Sequence, residues 1–255
     1  MTDITVVMAT YKQRKYLPKA VESVLAQPQV KYLIIVVPSE DKKSYDLAGQ
    51  LMIEEGQLRI VPTEVKEKNM WTQRQWGIDH SATDYISFFD SDDVMLPGWL
   101  EKGLNVAKEI SSRGKIPIVG PSYRMVDEKL KPIQDVILPE FSMDRMMEGC
   151  VIPDFSITTT EALRSVGGFF DPDGFDPGHP YYSYSMFLRV LKKYGDQVEV
   201  KLLPDIGFLY RQHKHGMHQR IQSKRNSARN VARQREIARH YFPEQGEGKM
   251  KGTET

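Results

Sequence analysis

The sequence predicts an α/β protein built on a mostly parallel sheet flanked by helices. Two positive observations carry this. From Ile4 to Gly120, short apolar β-type runs alternate with helical stretches. One of those runs, Tyr32 to Val37, is almost continuously apolar, as a strand buried on both faces has to be. A third observation removes the alternatives. The longest apolar run falls far short of the roughly 20 residues of a membrane span. The lone Cys150 can form neither an internal disulfide nor a Cys-rich zinc site.

Each element has its own warrant. Ile4 to Met8 is a first strand. Pro18 to Ala26 is a helix: Pro18 suits a first turn, and Ala20, Val21, Val24 and Leu25 share one face. After the strand Tyr32 to Val37 come a helix, Lys43 to Glu55, and a short strand, Leu58 to Val61. Trp71 to Ser81 is helical, with Trp71, Arg74 or Gln75, and Ile78 one turn apart. Tyr85 to Phe89 is a strand that runs straight into Asp90-Ser91-Asp92-Asp93. Pro97 to Ser112 is a helix and Ile116 to Gly120 a strand.

Beyond Pro121 the alternation stops. Tyr123 to Leu138 is a hairpin turning near Asp127-Glu128. Short helices follow at Met143 to Glu148 and Thr160 to Val166, the second ended by Gly167-Gly168. Phe169 to Pro180, rich in Gly, Pro and Asp, is a long loop. Tyr184 to Lys193 is a helix, and Val198 to Leu203 and Ile206 to Tyr210 are strands. Ser223 to Tyr241 is a basic helix before a frayed tail, Glu244 to Thr255.

Composition bounds the function. The chain has 255 residues, 40% hydrophobic and 10% aromatic, with a net charge of +1. That suffices for a core and excludes a chain disordered by composition. The start, Met1 to Thr5, shows no basic or apolar leader segment, so the expected location is cytoplasmic.

In parallel sheets, ligands bind beyond the carboxyl ends of the strands. The loops to watch are therefore Ala9 to Lys15, Pro38 to Lys42, and Asp90 to Val94. In the last of these, Asp90, Asp92 and Asp93 repel one another unless a counter-ion joins them. Oxygen-only ligands favour Mg²⁺, Mn²⁺ or Ca²⁺ over zinc. An acidic turn capping the next helix is the plainer alternative.

The order of motifs resembles the family 2 glycosyltransferases of the GT-A fold. The resemblance rests on Thr10-Tyr11 at the end of strand one with the helix after it, and on Arg74 and Gly77-Ile78. It continues through the apolar strand into Asp90-Ser91-Asp92-Asp93 with Pro97 beyond, then Gly167-Gly168-Phe169 and Tyr210-Arg211-Gln212-His213. It covers residues 4 to 215.

The resemblance implies a metal-dependent transfer of a sugar from a nucleotide-diphosphate donor, a UDP-sugar first, to an acceptor hydroxyl with inversion. Residues 1–122 would be the nucleotide-sugar-binding half, and 123–222 the acceptor-side half of the same domain. Residues 223–255 would form the basic helix and tail. Thr10 and Tyr11 would contact the nucleoside, and Arg74 the base or diphosphate. Asp92 would ligate Mn²⁺ or Mg²⁺, with Asp90 on the ribose or on the metal or its water, and Asp93 behind them. His213 would reach the diphosphate or metal from a C-terminal lid, with His215 and His218 close by in sequence.

Two departures stand out. The family's Asp-Asp-Gly-Ser after strand two is here Pro38-Ser39-Glu40-Asp41, so Glu40 or Asp41 would take over base recognition. The family's Glu-Asp, which supplies the general base, is here Tyr182-Ser183. Substitute bases are Asp176, Asp154 and His179, with Asp171 and Asp173 in the same loop.

Rival readings remain. One is a degenerate protein that binds donors only. Another is a nucleic-acid-binding module on the basic helix, where Arg225, Arg229 and Arg233 repeat every four residues. This one leaves the Asp cluster without a purpose, so nucleic acid ranks low. The same helix could touch a membrane surface, or simply be a solvated face docked through Ile221, Val231, Ile237 and Ala238. Phosphatases and nucleotidyltransferases also hold Mg²⁺ on strand-end aspartates, but Thr10-Tyr11-Lys12-Gln13 lacks the glycine of a nucleotidyltransferase phosphate loop. The acceptor stays open: a glycan, a lipid carrier, a protein or a small molecule.

Overall fold

The computed structural model describes residues 4–54, 60–66, 68–178, 180–213 and 224–243. Strands β1 (Ile4–Ala9), β2 (Val30–Pro38), β3 (Ile60–Val65) and β4 (Tyr85–Phe88) alternate with helices α1 (Leu17–Leu25), α2 (Lys42–Glu54) and α3 (Met70–His80). A short β5 (Val94–Met95) and α4 (Trp99–Ser112) precede a hairpin of β6 (Ile116–Val126) and β7 (Pro132–Val136). Then come α5 (Met143–Glu148), β8 (Ile157–Thr159), α6 (Thr160–Arg164), α7 (Tyr182–Tyr194), a long β9 (Val198–Arg211) and α8 (Lys224–Tyr241).

The strands form one sheet in the order β3-β2-β1-β4-β8-β6-β9-β5, with β7 paired to β6. β3, β2, β1 and β4 are parallel neighbours, and β6 runs parallel to β9. β8 is the exception in the middle, antiparallel to both β4 and β6. The expected α/β architecture is the observed one.

The apolar run in β2 is explained by two layers of core. Leu33, Ile35 and Val37 join one apolar cluster with Leu17, Val21 and Leu104. Ile34 and Val36 join another with Trp71, Ile78 and Phe88. Successive side chains of a strand point to opposite faces, so both faces must be apolar when helices cover both. α3 lies close on β1: a Cβ on Gly77 would sit 2.3 Å from a methyl of Val7.

Several boundaries differ from the sequence reading. α4 begins at Trp99 rather than Pro97, because Gly98 adopts φ +80° and breaks the helical path. β3 is Ile60–Val65, shifted from Leu58–Val61, in register with Leu33 to Pro38 of β2. The two expected strands after Val198 are a single strand. Its register slips where Leu203 faces Pro121 and Ile206 faces Ser122, so a bulge absorbs Pro204 and Asp205. β5 is too short to leave a periodic signal.

α8 docks on α5 and α7. Ile237 and Ala238 are buried as expected, and Tyr241 joins them. Val231 is not a docking residue: it is 39% exposed. Ile221 and the tail from Glu244 lie outside the described residues. The basic stripe is partly engaged, since Arg233 donates to the carbonyls of Pro177 and Asp176 and pairs with Glu236. Among the described residues no helix is long and apolar enough to cross a membrane.

Candidate functional site

Three strand ends bring the site together. β1 and β4 are parallel neighbours, so Thr10-Tyr11 and Asp90 to Asp93 leave the sheet at the same edge. The Phe89 amide still donates to the Val7 carbonyl, and the Thr10 amide to the Val36 carbonyl, which anchors both loops. β8 runs the other way, with Ile86 facing Thr158. The residues before β8 therefore lie beside those after β4, and the Ser87 hydroxyl donates to the Phe155 carbonyl. This antiparallel insertion carries Asp154 to the acidic loop.

A single buried cation ties the two together. Arg74 of α3 is 0% exposed. Its Nη2 donates to Asp90 Oδ1 at 2.6 Å and its Nη1 to Asp154 Oδ2 at 2.5 Å. Burial opposes the guanidinium charge, and the two carboxylates more than offset it. Arg74 was expected to face the donor. It is instead enclosed beneath the acids, with both terminal nitrogens committed.

Asp90, Asp92 and Asp93 each offer an oxygen within 4.8 Å of the others. Loss of water pushes Asp90 up to about 6; Arg74 opposes this, while Asp92 and Asp154 add to it. Burial, with Asp92 and Asp90, also raises Asp93 well above the ordinary carboxylate range. Asp93 Oδ1 accepts from the Arg211 amide at 2.8 Å, while its Oδ2 is buried without a hydrogen-bond partner among the described residues. Crowded carboxylate oxygens, one of them orphaned, suit a hard divalent cation.

The loop after β1 is stitched to its neighbours. Tyr11 donates its hydroxyl to Glu40 Oε1 at 2.7 Å, and Lys68 pairs with Glu40 at 2.6 Å. Hydrogen bonds from Lys68 and Tyr11 hold Glu40 below the usual carboxylate range. Asp41 does not take the ligand-facing place. It is buried, accepting the amide of Lys12, whose φ is 58°, and facing Ser44 at the start of α2. Thr10 Oγ1 is buried with no partner among the described residues.

The end of β9 closes over the acids. His213 Nε2 lies 2.8 Å from Asp92 Oδ2, and its ring packs on Tyr16 at 4.9 Å. The Arg211 guanidinium lies 4.7 Å from the centre of the Tyr16 ring and donates through Nε to the Asp92 carbonyl. Tyr16 and Lys15 both bond Glu128 at the hairpin tip, which drives that carboxyl down to about 2. Tyr16 and Glu128 were invisible to sequence reading, since nothing local marks a contact spanning 112 positions.

Of the base candidates, only Asp154 reaches the acidic loop through a described contact. Asp176 accepts from the Tyr182 hydroxyl and the Gly178 amide, and its backbone is tied to α8. Asp171 is locked between Tyr241 and Arg189, and Asp173 is exposed. Tyr182 contributes its hydroxyl to Asp176 and its ring to Trp71, and Ser183 is buried in α7. His179, His215 and His218 lie outside the described residues. A cavity of about 420 Å³ opens beside Asp154, with Asp90 and Tyr210 also in its wall.

Residues 5–160 match the model of glycosyl transferase family 2. The chain is 26% identical over 165 residues to an uncharacterized glycosyltransferase of Rickettsia bellii, covering 65% of this chain and 22% of the relative. A relative from Rickettsia felis is 27% identical, with 66% and 26% covered. The chain thus spans about a quarter of the length of these relatives. It is 25% identical over 114 residues to the poly(ribitol-phosphate) beta-N-acetylglucosaminyltransferase TarP of Staphylococcus aureus, covering 44% and 35%. Among solved structures, S. aureus TarS 1–349 in complex with UDP-GlcNAc superposes with a TM-score of 0.67 at 12% identity, covering 94% of this chain and 72% of that one. That likeness is one of fold.

Proposed function

Since this chain belongs to glycosyl transferase family 2, we propose that it moves a sugar from a nucleotide-diphosphate donor to an acceptor hydroxyl, with inversion and with a bound divalent cation. The observation that carries this is the Arg74 clamp, which holds a donor-side acid, Asp90, and an acid in the wall of a cavity, Asp154, on one guanidinium.

Each residue then has a task. Thr10 and Tyr11 receive the nucleoside, with Tyr11 held in place by Glu40. A UDP-sugar is the first donor to try, because the TarS neighbour is solved with UDP-GlcNAc. Asp92 and Asp90 would hold Mn²⁺ or Mg²⁺, with Asp93 behind them, and His213 stands against Asp92. When bound, the ion supplies positive charge against the diphosphate leaving group. Asp154 takes the proton of the acceptor hydroxyl as that oxygen bonds to the sugar carbon and the diphosphate departs. Arg74 holds the Asp154 carboxylate in place through its Nη1.

A thermal-shift panel tests this: UDP, GDP, dTDP and CMP, each with Mn²⁺ or EDTA, on wild type and Asp92→Asn. Ligand at 100 times its dissociation constant adds about 2.7 kcal/mol, a rise of roughly 5–10 °C for this size. One nucleotide, needing metal and lost in Asp92→Asn, is the expected result. No response to any nucleotide would sink the donor-site reading.

A further inference from the structure

The tip of the β6–β7 hairpin reaches the acidic loop through one aromatic ring. Resting on the reading above, we infer that Tyr16 is a positioning residue of the cation site: Glu128 at the hairpin tip fixes its ring, and the ring sets Arg211 and His213 against Asp92.

Tyr16 occupies a place that a helix alone would fill differently. It is the N-cap of α1, and its side chain makes no capping bond. Ser, Thr, Asp and Asn serve best there, because their short side chains reach the first free amides. Tyr16 is instead 8% exposed, and its hydroxyl donates to Glu128 Oε1 at 2.8 Å. A local preference is given up for a contact 112 positions away, the usual mark of a functional demand.

The far end of that contact is built to stay put. Asp127 Oδ1 accepts the amides of Lys129 and Lys131, both at 2.8 Å, and the Asp127 amide donates to the Lys131 carbonyl at 2.9 Å. Next in the chain, β6 runs parallel to β9, with Val126 facing Arg211 and the Gln212 amide on the Val126 carbonyl at 2.7 Å. The tip therefore leaves the sheet beside Arg211 and His213. Arg211 Nη1 donates to the Glu128 carbonyl at 2.8 Å, so Glu128 holds Arg211 by its backbone and Tyr16 by its carboxylate. Exposed Lys15 pairs with the same carboxylate.

Tyr16 then meets both residues that touch the acids. Its ring centre lies 4.9 Å from that of His213 and 4.7 Å from the Arg211 guanidinium. His213 Nε2 faces Asp92 Oδ2 at 2.8 Å, Arg211 Nε donates to the Asp92 carbonyl at 2.6 Å, and the Arg211 amide donates to Asp93 Oδ1 at 2.8 Å. A histidine at a metal site is ordinarily oriented by a hydrogen bond at its second ring nitrogen. His213 Nδ1 is buried with no such partner among the described residues. Packing against Tyr16 supplies the orientation instead. Loss of an orienting partner costs roughly 10–100-fold in metal affinity.

Glu128→Ala, Glu128→Gln and Tyr16→Leu in the full chain test this. Glutamine keeps an oxygen for the Tyr16 hydroxyl and alanine does not. Glu128 is exposed, so its variants leave the core intact. Titration with Mn²⁺ alone, followed by EPR, gives the metal affinity. The ring signals of His213 in EDTA at constant pH, assigned by their loss in His213→Gln, report its seat beside Tyr16 through the ring current and need no metal. Both are read where circular dichroism shows each variant folded, so lost stability alone moves neither. Glu128→Ala and Tyr16→Leu are expected to bind Mn²⁺ at least tenfold more weakly and to shift the His213 signals. Glu128→Gln is expected to stay within twofold and to keep them. Wild-type behaviour in Glu128→Ala, or equal losses in Glu128→Gln and Glu128→Ala, would overturn the inference. Asp92→Asn keeps the two ideas apart. If it binds Mn²⁺ as wild type does, or neither binds, the cation reading above fails, and the His213 signals still decide whether Glu128 and Tyr16 seat the ring. If binding needs Asp92 but ignores Glu128→Ala and Tyr16→Leu, the positioning inference alone is wrong.

Discussion

Arg74 of α3 and Asp154 ahead of β8, 80 positions apart, meet at 2.5 Å. Asp90 shares the same guanidinium at 2.6 Å.

Asp154→Asn removes the proposed proton acceptor and keeps the shape of the site. The turnover rate is expected to fall by about 10²- to 10⁴-fold, the usual worth of general base catalysis. Nucleotide binding in the thermal-shift assay should stay near wild type. A variant that transfers sugar normally would return the search to Asp176 and to His179.

Arg74→Met strands Asp90 and Asp154 without their shared cation. Removing one member of a buried pair costs about 3–5 kcal/mol. Both acids are partly exposed, so the low end is expected, about 3 kcal/mol by urea denaturation. A loss within experimental error would show that the clamp contributes nothing to stability.

The metal-free chain should become more stable as the pH falls from 8 towards 5. Asp90 is raised from the ordinary value of 3.8 to about 6, and Asp93 is raised in the same direction. A folded pKa above the unfolded one means that the folded state binds the proton more tightly. That stability is complete below the unfolded value and is lost as pH rises through about 6. Each group that holds an extra proton contributes a slope of up to about 1.4 kcal/mol per pH unit. Urea midpoints measured in EDTA at pH 5, 6, 7 and 8 give the slope, and Asp90→Asn should flatten it. An equal slope in the variant would contradict the assignment to Asp90.

Gly77→Ala places a Cβ 2.3 Å from a Val7 methyl and pushes α3 away from β1. Overpacking of this kind costs about 1–3 kcal/mol. Since α3 carries Arg74, turnover should fall as well. Val7→Ala added to Gly77→Ala makes room for the new methyl, and a double-mutant cycle should show coupling above about 0.5 kcal/mol. Simple additivity would mean that the two residues do not press on one another.

Much of this was legible in the sequence. The two-faced apolar run of β2 announces a covered sheet through its composition alone. The acids of the loop after β4 sit within four consecutive positions, so their crowding needs no tertiary information. Helix α3 could be placed by its spacing, although its Arg74 was expected at the base or diphosphate and lies buried against Asp90 and Asp154. The short strand β5 had no period to detect, and the antiparallel pairing of β8, which delivers Asp154, leaves no local mark.

The strand-helix alternation, the acidic loop and the Thr10-Tyr11 strand end can be read along the chain, because each depends on neighbours a few positions apart. Which acid joins Asp90, what Arg74 does, and which rings wall the cavity emerge only on folding. Those pairings span 80 positions for Asp154 and Arg74 and 121 for His213 and Asp92. They are set by strand order and by the antiparallel turn of β8, and local pattern carries no record of either.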